Sequence, residues 1–122
     1  MHPIHLGEAK STEGVSSITI DDFFKKNDIL KLDFIKIDTD GYEYEVFKGA
    51  KNTIAKFKPK IIFEIGIYLM EERGIDFSIY SNYFNSLNYQ LFNSKTAEIL
   101  TLNNYKNHIP EKGTIDIAAV PY

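Results

Sequence analysis

Four acidic side chains crowd the centre of this chain, directly after a run of apolar residues. The segment reads FIKIDTDGYEYEVFKGA over residues 34–50, and it contains Asp38, Asp40, Glu43 and Glu45. Carboxylates at this density suit three kinds of chemistry: coordination of calcium, phosphoryl transfer by an aspartate, or binding of a polar ligand in a crevice. The elements that carry these residues decide among the three.

A calcium-binding loop is the weakest of these interpretations. The letters DTDG resemble the middle of an EF-hand loop, in which a glycine at position six follows oxygen ligands at positions one, three and five. Aligning Gly41 with that glycine puts Lys36 at position one and Phe47 at position twelve. Neither side chain offers the oxygen that those positions require, and the segment before the loop is typical of a strand rather than a helix.

A phosphatase remains as an alternative. An apolar strand that ends in DxDG resembles the nucleophile motif of haloacid-dehalogenase-like phosphatases, with Asp38 as the nucleophile and Asp40 as its acid-base partner. That family continues with a small hydroxyl residue and an aliphatic one, whereas Tyr42 and Glu43 stand here.

The third interpretation is a crevice at the end of a parallel strand, which is where ligands bind in open α/β sheets. Asp38 and Asp40 would form its wall. Glu43 and Glu45 have a simpler explanation, because acidic side chains in the first turn of a helix interact favourably with its positive end.

Composition excludes several other classes of function. The chain has 122 residues, a formal net charge of −3 and no cysteine, and it contains no run of Lys or Arg that would mark a binder of nucleic acid or anionic lipid. No apolar stretch approaches the roughly 20 residues that cross a bilayer. The opening letters MHPIHLGEAKSTEG lack the apolar core of a signal peptide. A cytoplasmic protein is therefore expected.

Hydrophobic periodicity predicts one α/β domain over residues 17–122, preceded by an arm or remnant at residues 1–16. Strand 32–38 is apolar on both faces apart from Lys36, which favours cover by helices on either side. A helix over 42–57 joins it to strand 60–66, so these two strands should be parallel. The remaining predicted elements are a helix at 20–28, a helix capped by Asp76, strands at 89–93 and 114–120, and an optional short strand at 97–102.

Residues 17–66 resemble the carboxyl-terminal half of FkbM-family methyltransferases, which transfer a methyl group from S-adenosylmethionine to hydroxyl groups of sugars and natural products. The resemblance is carried by KIDTDGYE, residues 36–43, and by KGA, residues 48–50. The family's strand signature is K-I-D-x-E-G-x-E, followed by a helix that contains K-G-A. Asp40 stands where the family has glutamate, which keeps the charge but shortens the side chain by one methylene.

The resemblance implies a Rossmann-like class I methyltransferase sheet with strand order 3-2-1-4-5-7-6. This chain would supply strands 4-5-7-6 with flanking helices, and it would lack the first three βα units. The family's glycine-rich cofactor loop, of the type D-x-G-A-N-x-G, has no counterpart in the sequence. The expected function is therefore an O-methyltransferase fragment that keeps the acceptor-side crevice and is inactive alone. A non-catalytic module that associates with itself is the alternative from another class.

The candidate catalytic residues are Lys36, Asp38, Asp40 and Glu64, while the cofactor-binding residues are unknown. Lys36 and Asp38 share one face of their strand, so an ion pair or a polar crevice is expected around Lys36. Together they would orient the acceptor hydroxyl while a carboxylate serves as general base. Glu64 joins this crevice if its strand is adjacent. Two such carboxylates hold magnesium in some catechol-type methyltransferases, but no third ligand is evident from the sequence, so no metal site is assigned.

Tyrosines and histidines are two further groups of side chains that could contribute to a binding site. Tyr68, Tyr83 and Tyr89 are of a type that stacks on sugars, whereas Tyr80 falls on the apolar stripe of its helix and is interpreted as core. The histidines show no metal-ligand spacing and receive no role; they are His2, His5 and His108.

Finally, the strand order implied by the resemblance predicts an assembly. Without strand one, strand 34–38 would present an unpaired apolar edge, and such an edge is a template for pairing with another strand. A homodimer in which this strand pairs antiparallel with its own copy is expected.

Overall fold

The computed structural model describes residues 18–122, whose helices and strands form a mixed α/β fold. The predicted arm at residues 1–16 lies outside the described residues. In chain order the elements are α1 (Ile20–Lys26), β1 (Phe34–Ile37), α2 (Glu43–Lys48), α3 (Lys51–Phe57), β2 (Lys60–Ile65), α4 (Ile67–Glu72), α5 (Phe77–Ser86), β3 (Tyr89–Asn93), α6 (Tyr105–His108) and β4 (Ile115–Pro121).

The strands of this region form one four-stranded sheet in the order β1-β2-β4-β3. β1 and β2 are parallel, as predicted, with Phe34 opposite Lys60. β4 lies between β2 and β3 and runs antiparallel to both. The carboxyl ends of β1, β2 and β3 therefore share one edge of the sheet with the amino end of β4. We call this edge the carboxyl edge.

The sheet buries one face far more completely than the other. Side chains on the first face, such as Ile35, Ile61 and Phe63, are fully buried against the helices. On the opposite face Phe34 and Ile62 are only half-buried, and Lys36 is exposed. The expectation that helices cover both faces is therefore wrong for residues 18–122. Apolar letters on both sides of a strand could not reveal this, because they do not show which neighbours the strand meets.

An aromatic cluster fills the space between the buried face and the helices. Phe47 of α2 packs edge-on against Phe63 of β2, with ring centroids 4.9 Å apart. Phe84 of α5 stacks on the same Phe63 ring at 5.5 Å. Tyr80 is 2% exposed, which confirms its interpretation as a core residue. Aromatic pairs of this kind add about 0.5–1.5 kcal/mol each beyond the burial of their surface.

The single helix predicted over 42–57 is wrong, because the chain forms two helices separated at Gly49 and Ala50. The cause lies in α1. A Cβ atom at Gly49 would lie 2.9 Å from side-chain atoms of Thr19, the residue that caps α1, so glycine is favoured at this close approach. The Asp21 carboxylate then accepts hydrogen bonds from the backbone N–H groups of Asn52 and Thr53, and so caps a new helix start.

The remaining elements follow the predicted pattern with three differences. Asp76 caps α5 as predicted, since its carboxylate accepts a hydrogen bond from the Ser78 N–H at 2.8 Å. The optional strand at 97–102 is reduced to one isolated bridge between Phe92 and Ile99. The short helices α4 and α6 were not predicted, because neither segment shows helical periodicity. Within residues 18–122, no helix has the length and apolar character needed to cross a membrane.

Candidate functional site

The turn that follows β1 shapes the site. Asp40 has φ of 54° and Gly41 has φ of 104°, so two consecutive residues adopt left-handed backbone conformations. Aspartate tolerates this region better than most residues, and glycine adopts it without a steric cost. The chain therefore reverses sharply after Asp38 and enters α2 at Glu43.

Glu43 holds this turn together from the inside. Its side chain is 1% exposed, and its two carboxylate oxygens accept hydrogen bonds from the backbone N–H groups of Thr39 and Gly41, each at 3.0 Å. Burial raises the pKa of the Glu43 carboxyl, and the two backbone hydrogen bonds partly oppose that rise. Glu43 therefore anchors the loop. This structural role goes beyond the favourable interaction with the helix end that the sequence predicts for it.

Three other carboxylates converge outside this turn. Oxygens of Asp38, Asp40 and Glu64 lie within 4.8 Å of one another, and we call these three residues the acidic cluster. The strand register explains why Asp38 approaches Glu64. Ile37 is opposite Phe63, and Asp38 and Glu64 are the residues that follow them in the chain. The left-handed turn then brings Asp40 to the same place. The cluster lies at the carboxyl edge, the expected position for a ligand in an open α/β sheet.

Glu64 is also tied to β4. The Thr114 hydroxyl donates a hydrogen bond to the Glu64 carboxylate at 3.0 Å. Asp116 is the register partner of Glu64 across the antiparallel pair, which places a fourth acidic residue on the same face of the sheet. The candidate site therefore extends from β1 across β2 to β4.

The sequence predicts an ion pair or a polar crevice around Lys36. Its side chain is exposed on the half-open face of β1, and it forms no ion pair with any residue from 18 to 122. Of the two environments expected, the ion pair is not formed among residues 18–122, because a solvated lysine needs no partner. Lys36 still lies on the same side of the strand as Asp38, two residues away.

The acidic cluster offers a set of ligands that a divalent cation accepts. Three carboxylate oxygens at these separations suit Mg²⁺ or Ca²⁺, although exposed acidic groups also lie together without an ion. The sequence interpretation found only two ligands, and the structure supplies Asp40 as the third. The sequence does not show the left-handed turn at Asp40 and Gly41 that brings Asp40 into the cluster.

An arginine closes the outer side of the turn. Arg73, the only arginine in the sequence, places its guanidinium 3.6 Å from the centroid of the Tyr42 ring. Its Nε would lie 3.6 Å from a Cβ atom at Gly41. Arginine stacks on aromatic rings in this way because its guanidinium is planar and weakly hydrated. The stack fixes one wall of the site beside Asp40.

The glycines that follow strands do not form a cradle for a nucleotide-like cofactor. At Gly41 an added Cβ would meet Leu69 and Arg73, and at Gly66 it would lie 2.9 Å from the carbonyl oxygen of Gly113. At Gly66 the Gly113 backbone therefore occupies the space beside the glycine, and at Gly41 the glycine faces the side chains of Leu69 and Arg73. Residues 18–122 do not fit S-adenosylmethionine in the manner of a glycine-rich loop.

One part of the carboxyl edge was missed by sequence reasoning. His108 received no role, yet its Nδ1 lies 3.0 Å from the Asn93 amide nitrogen at the end of β3. The two residues are separated by 15 positions and belong to no local motif. The one signal in the sequence is weak: a polar residue, Asn93, ends an otherwise apolar strand.

Comparison with known families gives one match. A family model described as the methyltransferase FkbM domain matches residues 1–91 of the 122-residue chain. The match includes β1, the acidic cluster and β2, and it ends within β3. No curated protein and no solved structure matches the chain.

Proposed function

Because this chain belongs to the FkbM methyltransferase domain family, we propose that it forms the acceptor side of an S-adenosylmethionine-dependent O-methyltransferase. The observation that carries the proposal is the convergence of Asp38, Asp40 and Glu64 at the carboxyl edge. The substrate would be a small molecule with a hydroxyl group, such as a sugar or a natural product.

We assign β1, β2, β3 and β4 to strands four, five, six and seven of the class I methyltransferase sheet. The order β1-β2-β4-β3 would then be the 4-5-7-6 part of that sheet. The antiparallel β4, inserted between two strands that are parallel to each other, supports this assignment.

Within this proposal the acidic cluster binds and activates the acceptor hydroxyl. Asp38 is the general base, since it is exposed at the strand end and can accept a proton from an incoming hydroxyl group. Glu64, oriented by Thr114, and Asp40 accept hydrogen bonds from neighbouring hydroxyl groups of the same acceptor molecule and so hold it in position. Lys36 lies on the same face of the strand as Asp38, two residues away, and together they orient the acceptor hydroxyl.

The methyl donor of this reaction is S-adenosylmethionine, and residues 18–122 supply no glycine-rich loop for it. We therefore expect the chain alone to bind S-adenosylmethionine no more tightly than millimolar and to be inactive in methyl transfer. Isothermal titration calorimetry measures this directly. Micromolar binding would contradict the assignment of the chain to the acceptor side alone.

Acceptor binding is tested by NMR of carboxylate carbons in protein labelled at aspartate and glutamate. Glucose at millimolar concentration should shift the carboxylate signals of Asp38 and Glu64, and Asp38→Asn should weaken this binding by about fivefold. Asp33→Asn is the matched control, because Asp33 is exposed at the other end of β1. If glucose leaves both cluster signals unchanged, the proposed acceptor site is wrong.

One observation also supports the second candidate, a module that associates with itself. β1 pairs only with β2 among the described residues, so its other edge has backbone groups available for a further strand. We propose antiparallel pairing of residues 34–38 with a second copy of the chain.

A further inference from the structure

A polar groove runs along the carboxyl edge beyond the acidic cluster. Its volume is about 730 Å³, and it lies among the end of β3, the start of β4, the loop that follows β3, and α6. Its lining begins at Asn93, so all of it lies beyond residues 1–91, the part of the chain that matches the family.

Asn93 organises the floor of this groove. Its side-chain oxygen accepts hydrogen bonds from the backbone N–H groups of Lys95 at 2.9 Å and Thr96 at 3.3 Å. An oxygen used in this way must face the loop, so the amide nitrogen faces the other way, toward His108. The orientation of the Asn93 amide is therefore set by two backbone donors.

This orientation determines the tautomer of His108. The Asn93 amide nitrogen is a donor and lies 3.0 Å from His108 Nδ1, so Nδ1 must be the acceptor. A neutral imidazole with an acceptor at Nδ1 carries its proton at Nε2. The His108 side chain is only 11% exposed, so its Nε2–H is a fixed donor directed at the groove.

Among residues 18–122, no acceptor lies within hydrogen-bond distance of the His108 Nε2–H. The nearest carboxylate oxygen, from Glu98, is 3.9 Å from Nε2, which is too long for a hydrogen bond. A hydroxyl oxygen placed about 2.8 Å from both atoms would form the third corner of a triangle with an angle of about 90°. It would accept a hydrogen bond from Nε2–H and donate one to the carboxylate. Glu98 is 66% exposed and can move to improve this geometry.

We propose that His108 and Glu98 bind one hydroxyl group of a neutral, polyhydroxylated ligand that lies in the groove. The rest of the lining agrees with such a ligand. Hydroxyl and amide groups predominate, from Ser94, Thr96, Asn107 and Thr114, while Lys95 is the one cationic side chain and is offset by Glu98 and Asp116. An anionic ligand would find no excess of positive charge here.

The position of the groove sets the length of a ligand that also reaches the acidic cluster. β4 separates β2 from β3, so the backbones of Glu64 and Asn93 lie two strand spacings apart, or about 10 Å. Asn93 is in register with Phe63, so its side chain leaves the opposite face from Glu64, and a ligand that reaches both must pass around the carboxyl edge. This step rests on the proposed function: if the same molecule is the methyl acceptor, it is elongated and of about disaccharide size, with one hydroxyl bound by His108 and another presented to Asp38.

The test is NMR of the full 122-residue chain, labelled with ¹⁵N at histidine, during titration with sucrose and with trehalose. The free protein should show the Nε2–H tautomer for His108, and at least one of these disaccharides should shift the Nε2 signal at millimolar concentration. An Nδ1–H tautomer, or no shift of Nε2 with either disaccharide, would overturn the proposal.

Variants separate binding from a structural role. Glu98→Ala should weaken disaccharide binding by about fivefold, whereas Glu98→Gln, which keeps an acceptor oxygen, should stay within about twofold of the wild type. Asn103→Ala is the control, since Asn103 is exposed and does not line the groove. Unchanged affinity in both Glu98→Ala and His108→Phe, with thermal stability unchanged, would also refute the proposal.

The two proposals fail in different ways. If disaccharides shift His108 but not the acidic cluster, the groove is a binding site and its connection to the methyl acceptor is wrong. If they shift the carboxylates of Asp38 and Glu64 but not His108, the acceptor site stands and the groove proposal is wrong.

Discussion

At the scale of single residues, Glu43 is the side chain on which the site most depends for its shape. Replacing it with glutamine leaves one acceptor oxygen for two backbone donors, so either the Thr39 or the Gly41 N–H loses its partner. We expect Glu43→Gln to lower the free energy of unfolding by about 1–3 kcal/mol, measured by urea denaturation. Glu45→Gln, on the exposed side of α2, should change it by less than about 0.5 kcal/mol.

The raised pKa of Glu43 makes the difference in unfolding free energy between the wild type and Glu43→Gln depend on pH. The folded protein holds the Glu43 proton more tightly than the unfolded chain, whose ordinary pKa is 4.5. The contribution to stability is therefore fully present below pH 4.5 and is lost as the pH rises through the folded pKa. The stability difference between the wild type and Glu43→Gln should decrease over this window. A difference that increases with pH would mean that the backbone hydrogen bonds outweigh desolvation.

Asp38 also distinguishes methyl transfer from the phosphatase alternative. A phosphatase that used Asp38 as its nucleophile would hydrolyse a generic aryl phosphate in the presence of magnesium, and Asp38→Asn would abolish that activity. We expect no hydrolysis by the wild type. Measurable magnesium-dependent release of the aryl alcohol that Asp38→Asn removes would favour the alternative.

At the scale of secondary-structure elements, the contact between α1 and α3 determines where the helix after the acidic cluster ends and the next helix begins. Asp21 accepts hydrogen bonds from the backbone N–H of Asn52, at 3.1 Å, and of Thr53, at 2.7 Å, and it also accepts one from the Thr53 hydroxyl at 2.6 Å. It therefore acts as a helix cap supplied by another helix. The sequence K-G-A at residues 48–50 marks the helix break that this cap makes possible.

Removing this cap should destabilise the fold without touching the acidic cluster. We expect Asp21→Ala to lower the free energy of unfolding by about 1–2 kcal/mol, because the start of α3 loses its acceptor. Asp22→Ala is the matched control, since the adjacent Asp22 is exposed and only its backbone N–H, which bonds to Thr19, takes part in capping among the described residues. Equal losses in the two variants, measured by chemical denaturation, would show that the cap contributes nothing specific.

At the scale of the whole molecule, the open edge of β1 predicts a dimer. Antiparallel pairing of residues 34–38 with their own copy would satisfy backbone groups that β2 leaves unpaired. Lys36→Pro removes a backbone donor that faces the open edge, because Asp33 and Ile35 face β2, and it should shift the protein to monomer at micromolar concentration, as measured by light scattering. A wild type that is a well-folded monomer under these conditions would contradict the prediction.

A second variant keeps the dimer test informative if Lys36→Pro does not fold. Pairing centred on Lys36 places the two Lys36 side chains opposite each other, where like charges repel. Lys36→Ala should therefore tighten the dimer, and added salt should tighten the wild-type dimer by screening the same repulsion. Dimer affinity that is unchanged by both would rule out this register.

Local pattern alone predicted much of this protein. Periods of two and of 3.6 residues located β1 to β4, α1 and α5, because each of these elements carries its own apolar repeat. The Asp76 cap was also evident, since a cap is set by neighbours in sequence. Asp38 and Glu64 could be placed at the ends of their strands for the same reason.

Tertiary structure decided what depends on contacts between distant residues. Thr19 and Asp21 divide the helix predicted at 42–57, and a left-handed turn brings Asp40 to Glu64, 24 positions away in the sequence. Asn93 fixes His108 across a loop that has no regular period. Such contacts follow from how the elements pack, and the composition of any one segment does not encode that packing.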